Sequence, residues 1–189
     1  MIARFLHGAI EAGVPIRLDD AEAKPMTREE AVTRLYEEAR DDVYRYLLTL
    51  GLRPAQAQEA TQEVYLRLFA TLQRGEHIEN LRAWIFRVAH NHGLTLRGRE
   101  DSLRPLEPAL ETQLIDRGQN PEQTLLDRER RLRFHHAVEA LSDQQRTCLY
   151  LRAEGFRYRE IAAILGLSDS TVGEFLRRAI TRLRKSLHV

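Results

Sequence analysis

The stretch from Tyr158 to Ala179 constrains this chain more than any other. Ile161, Ala162 and Leu165, then Val172, Leu176, Ala179 and Leu183, fall at helical spacing, so two short helices each carry one apolar face. Gly166 between them can take positive φ where the first helix stops. Ser168 or Asp169 can accept from the free N–H groups that open the second helix. Two amphipathic helices about a glycine turn read as a helix-turn-helix, whose second helix enters the DNA major groove. Ser170 and Thr171 would then reach base edges, with Arg177, Arg178 and Arg182 further along. The competing reading is a plain helical hairpin with solvated arginines.

A formal charge of +1 over 189 residues is near neutral, so any nucleic-acid contact must come from local asymmetry. Residues 170–189 hold five bases (Arg177, Arg178, Arg182, Arg184, Lys185) against Glu174. Residues 80–99 hold four arginines (Arg82, Arg87, Arg97, Arg99) and no acid. Between these basic stretches, residues 100–124 carry six acids against Arg104 and Arg117. The single cysteine, Cys148, excludes an internal disulfide and suits a small core residue in a reducing compartment. No apolar run approaches the roughly 18 residues of a membrane span, and the N-terminus lacks a secretory apolar core. A soluble, cytoplasmic protein with no membrane insertion is the expectation.

Along the chain, residues 1–25 mix glycines, prolines and acids, with a short helix over 2–12 as the one candidate element. Thr27 and Glu30 then form a capping box, and Val32, Leu35, Tyr36, Ala39, Val43, Tyr46, Leu47 and Leu50 continue at helical spacing up to Gly51. Pro54 suits the first turn of a second helix, lined by Ala57, Ala60, Val64 and Leu68. A third starts near Asn80 and holds Leu81, Trp84, Ile85, Val88, Ala89 and Leu96. These three helices carry enough large apolar residues for a shared core. Pro105, Pro108, Gly118 and Pro121 mark a linker without periodicity. A second helical unit follows, through Leu125, Leu132, Ala137, Val138 and Leu141, a capping box at Ser142–Gln145, and the helix-turn-helix. Strand-like alternation is absent, so the class is all-α.

Arg82, Trp84, Arg87, His90, Asn91 and His92 combine charge, an aromatic face and amide donors, a mixture suited to unstacked single-stranded bases. The plain alternative puts Trp84 in the core and leaves the arginines solvated. His90 and His92 diverge on a helix, and no cysteine cluster accompanies them, so no metal site is expected. Without a phosphate loop or nucleophile elbow, neither catalysis nor a cofactor is expected. Residues 56–69 set polar side chains beside Tyr65 and Phe69, which fits a solvated amphipathic helix or a docking face.

With both halves in view, the chain resembles the extracytoplasmic-function (ECF) sigma factors of bacterial RNA polymerase. Ala57–Tyr65 (AQEATQEVY) is similar to the family segment that docks on the polymerase coiled coil. Arg82–Asn91 (RAWIFRVAHN) is similar to the segment that melts and reads the −10 element, and the helix-turn-helix to the −35 reader. The resemblance implies an N-terminal extension (1–26), a region 2-like three-helix domain (27–99), an extended acidic linker (100–120) and a region 4-like helix-turn-helix domain (121–189). It implies polymerase contacts at Gln62, Glu63, Tyr65, Arg67 and Phe69. For the −10 strand it implies His77, Asn80, Arg82, Trp84, Arg87, His90, Asn91 and His92, with flipped bases lodged against the Gly75–Glu79 loop. For the −35 duplex it implies Ser170, Thr171, Glu174, Arg177, Arg178 and Arg182. Partners would be core RNA polymerase, promoter DNA and an anti-sigma factor, and the acidic linker would occupy a positively charged polymerase channel. Gly173, Glu174 and Phe175 depart from the Lys-Ser-Arg common in the family and bear on −35 reading. The alternatives are a duplex-binding regulator that works without polymerase, and a sigma-like interaction protein that has lost promoter reading.

Overall fold

The computed structural model describes residues 27–101 and 133–187, and all regular structure within them is α-helical. The N-terminal unit consists of α1 (Arg28–Thr49), α2 (Pro54–Gln73) and α3 (Leu81–Asp101). The C-terminal unit consists of α4 (residues 133–139), α5 (Asp143–Ala153), α6 (Tyr158–Leu165) and α7 (Asp169–Leu187). The candidate helix over 2–12, most of the acidic linker and the expected helical positions Leu125 and Leu132 lie outside the described residues. Helix α3 itself runs into the start of that linker, to Asp101.

Local chemistry sets the helix ends. At α1 the Glu30 amide donates to Thr27 Oγ1 (3.2 Å) while the Thr27 amide donates to Glu30 Oε2 (2.8 Å), a reciprocal capping box. The same device opens α5, where the Gln145 amide donates to Ser142 Oγ at 3.3 Å and the Ser142 amide to Gln145 Oε1 at 3.2 Å. Pro54 occupies the first turn of α2, where its missing N–H costs no helical bond. Asn80 caps α3: its Oδ1 accepts from the Ala83 amide at 2.9 Å. Gly166 ends α6 at φ +67°, a left-handed conformation open to glycine, and Ser168 caps α7 by accepting from the Thr171 amide at 3.1 Å.

Val43, Tyr46, Leu47, Val64, Leu68, Ile85, Phe86 and Ala89 fill the N-terminal core, and Leu141, Cys148, Leu151, Ile161, Val172, Leu176 and Ala179 the C-terminal one. Burial pushes the Cys148 thiol up to about 11, in keeping with a packing role. Gly93 lets α3 approach the end of α1 closely. A Cβ there would lie 2.9 Å from Leu50 Cδ1 and 3.1 Å from Leu47 Cδ2.

The two units are not simply tethered. Their cores run together in one buried cluster. Phe86 of α3 meets Phe156 of the α5–α6 turn edge-on at 5.0 Å, and Tyr46 of α1 lies 5.5 Å from Tyr150 of α5. Tyr150 Oη donates to the Asp42 carbonyl at 3.0 Å. Neither unit by itself covers Tyr46 and Phe86 on all sides, and burying that aromatic surface favours the contact.

Candidate nucleic-acid interface

Helix α7 is amphipathic, so burying Val172, Leu176, Ala179 and Leu183 turns the polar residues between them outward. Ser168, Ser170 and Thr171 form a hydroxyl cluster at its start, with Ser168 Oγ 2.8 Å from both Ser170 Oγ and Thr171 Oγ1. One turn on, Glu174 accepts from Arg177 Nη2 at 2.8 Å and from Arg178 Nε at 2.6 Å. Hydrogen bonds from Arg177 and Arg178 hold the Glu174 carboxyl below the usual range. Arg177 and Arg178 are therefore already paired within their own helix. Arg182 reaches back to the Ala140 carbonyl at 2.7 Å. Gly173 is helical, and a Cβ there would touch the Tyr158 ring at 3.7 Å. Phe175 is half-buried against the core.

Helix α3 distributes its polar residues over three faces. Arg87 and Asn91 lie exposed on the outer one, and His77 is exposed in the loop before it. Trp84 is half-buried and packs against the core. His90 points to α1, where its Nδ1 shares a 2.9 Å hydrogen bond with Tyr46 Oη, and burial lowers its pKa. The ring of His90, grouped by the sequence with the strand-reading residues, is thus half-buried and bonded to α1. His92 faces α2, where burial and then Arg67 lower its pKa while Glu63 opposes.

Asn80 and Arg82 face the C-terminal unit. Asn80 Nδ2 donates to Glu160 Oε1 at 2.9 Å. Arg82 Nη2 donates to Asp42 Oδ2 (3.2 Å) and Glu154 Oε2 (3.0 Å), and Nη1 to the Glu154 carbonyl (2.7 Å). Its guanidinium also lies over the rings of Phe86 (5.6 Å) and Phe156 (5.1 Å). Burial and Asp42 push the Glu154 carboxyl up, against the pull of Arg82. Glu154 and Glu160 had no mark in the sequence, since each reads as an ordinary helix-terminal acid.

On α2, Gln62 is exposed, Phe69 is half-buried, and Glu63 pairs with Arg67 at 2.7 Å. Tyr65, which the resemblance implies as a polymerase contact, is instead buried. It is 5% exposed, its Oη donates to the Leu35 carbonyl at 3.3 Å, and its ring meets Tyr36 edge-on at 5.0 Å. Its neighbour Leu66 is 64% exposed. The clue was available: Leu66 lies off the apolar line Ala57, Ala60, Val64, Leu68. Beside this face a cavity of about 230 Å³ opens between α1 and α2, lined by Tyr36, Arg40, Tyr44, Gln58 and Gln62 among others. No cluster of three or more metal-ligating side chains occurs among the described residues, and no helix there is long and apolar enough to cross a membrane.

Two packed helical units, one closing in a helix-turn-helix whose outer face carries arginines, have the architecture of a DNA-binding protein. The families Sigma-70 region 2 and Sigma-70, region 4 match residues 35–102 and 131–183, one on each unit. The ECF RNA polymerase sigma factor SigL of Mycobacterium tuberculosis is 32% identical over 161 residues, covering 81% of this chain and 86% of its own. SigK of Mycolicibacterium vanbaalenii, also an ECF RNA polymerase sigma factor, is 27% identical over 164 residues, covering 85% and 83%. The sigma factor RpoE of Bartonella quintana, solved in complex with the anti-sigma factor NepR, superposes with a TM-score of 0.63 at 25% identity. That match covers 84% of this chain and 98% of RpoE. The chain belongs to the ECF sigma factors, and its role is that of a transcription initiation factor.

Proposed function

We propose that this chain binds core RNA polymerase through the outer face of α2, reads the −35 element as duplex with α7, and opens and holds the −10 element with α3. Residues 27–99 and 121–189 would be its region 2 and region 4 domains, with 100–120 as the linker. The observation that supports this best is the coincidence of each matched family region with one helical unit that carries its own polar, arginine-bearing helix. On α2 the docking residues are Gln62, Glu63, Leu66, Arg67 and Phe69. On α3 the strand-reading residues are Asn80, Arg82, Trp84, Arg87 and Asn91, with His77 in the preceding loop; His92 stands nearer the polymerase face. On α7 they are Ser170, Thr171, Arg177, Arg178 and Arg182. An anti-sigma factor is a further expected partner, since the RpoE relative was solved with one.

The Glu174 clamp on Arg177 and Arg178 favours a second reading for α7, in which −35 affinity is weak and the −10 strand carries more of the specificity. Run-off transcription with purified core enzyme on a genomic fragment library tests both. Starts that depend on the added chain and share two upstream motifs support the first; a shared −10 motif alone supports the second. No start dependent on the chain would overturn the initiation reading.

A further inference from the structure

The outer face of α7 has a gap at Gly173. This residue follows Ser170 by three positions and precedes Arg177 by four, so it lies on the same side of the helix as those two exposed residues. Tyr158 of α6 borders the gap. A Cβ at 173 would lie 3.7 Å from Tyr158 Cε2 and 3.9 Å from Cδ2, so a longer side chain there would extend across the ring. With glycine in place, Tyr158 remains 45% exposed. Arg152 holds the ring in position. Its Nη1 donates to the Phe156 carbonyl at 3.1 Å, and its guanidinium carbon lies 5.9 Å from the centre of the Tyr158 ring. A row of hydroxyl and guanidinium groups thus has a fixed aromatic edge beside it. The major groove offers that edge one apolar counterpart, the C5-methyl of thymine.

Resting on the −35 role proposed for α7, we propose that Tyr158 is a specificity-determining residue whose ring packs on a thymine methyl through the gap left by Gly173. Sequence reading is then shared between two helices, with Ser170 and Thr171 at polar base edges and Tyr158 at the methyl. A lysine at 173 would cover the ring and set a cation in its place. Phosphate attracts that cation at any sequence, so affinity would rise while the methyl went unread.

The test uses the full chain assembled with core polymerase, on a duplex promoter fragment carrying the upstream motif found by run-off transcription. Each thymine of that motif is replaced in turn by deoxyuridine, which removes the methyl and keeps the base pair. At one thymine the parent should lose about fourfold in affinity, the weight of one buried methyl group. Tyr158→Phe keeps the ring and should keep that loss. Tyr158→Ala and Gly173→Lys should bind the thymine and deoxyuridine fragments alike, Gly173→Lys with the higher overall affinity. A parent that tells the motif from a scrambled duplex but loses nothing at any thymine overturns the inference. So does a loss that persists in Gly173→Lys. A Tyr158→Phe variant weakened equally on every sequence also overturns it, since Tyr158 Oη would then be a phosphate contact. If the starts share no upstream motif, or the parent binds motif and scrambled duplex alike, the −35 role itself falls and the inference with it. Should Tyr158→Ala lose helical content, Gly173→Lys carries the test alone.

Discussion

At the scale of single residues, the two charge-bearing positions that matter most are Glu174 and His90, and each has a clear physical consequence. Glu174 ties up Arg177 and Arg178, so Glu174→Gln should release both toward phosphate. Duplex binding should tighten, and the slope of log K against log salt should steepen by about two, roughly one for each arginine released. A salt titration on matched and scrambled duplexes checks this. An unchanged sequence preference would show that Glu174 governs backbone contacts and reads no base. His90 is held below its ordinary 6.5 by burial beside Tyr46. Its folded pKa is depressed, so the stability it contributes is present above about 6.5 and lost as pH falls through the folded value. Urea midpoints measured from pH 7.5 to 5 should therefore fall toward acid, and His90→Gln should flatten part of that fall. His92, depressed in the same direction, accounts for a further part.

At the scale of the element, α2 shows how one helix serves two masters. Its inner line holds the core, and its outer line carries Gln62, Leu66 and Arg67. Tyr65→Ala should cost roughly 3–5 kcal/mol of stability, as for other large core truncations, and should be read in chemical denaturation. Leu66→Asp should leave stability within about 0.5 kcal/mol, as expected of a surface change. It should nonetheless weaken binding to core polymerase by about 1–2 kcal/mol or more, as for an interface anchor. Unaltered polymerase affinity for Leu66→Asp would remove this face from the docking assignment. Helix α3 divides likewise, with Arg87 and Asn91 outward, His90 toward α1 and Arg82 toward the C-terminal unit.

At the scale of the whole molecule, the packing of one unit on the other makes them thermodynamic neighbours. Trp84 is the chain's one tryptophan and lies in α3, so its fluorescence reports the N-terminal unit. Phe156 belongs to the other unit but lies on Phe86 and beneath Arg82. Phe156→Ala should cost about 3–5 kcal/mol overall and should also lower the unfolding midpoint seen by Trp84. A Trp84 midpoint that ignores Phe156 would show two units that unfold independently.

Much of this protein was legible from local pattern. Capping boxes at Thr27 and Ser142, Pro54 in a first turn, Gly51 and Gly166 with positive φ, and the apolar period of each helix all act within a few residues. Short-range hydrogen bonding and steric limits write such features directly into the order of side chains. The helix-turn-helix and the all-α class follow from them. Whether Tyr65 or Leu66 faces out, which side of α3 carries His90, and what Arg82 binds were not settled there. Those outcomes depend on which helix covers which face, and that is decided by burying the largest apolar area among elements far apart in the chain. Arg82 and Glu154 are an ordinary arginine and an ordinary glutamate until Phe86 meets Phe156. Only that aromatic contact brings the two charges within hydrogen-bond reach.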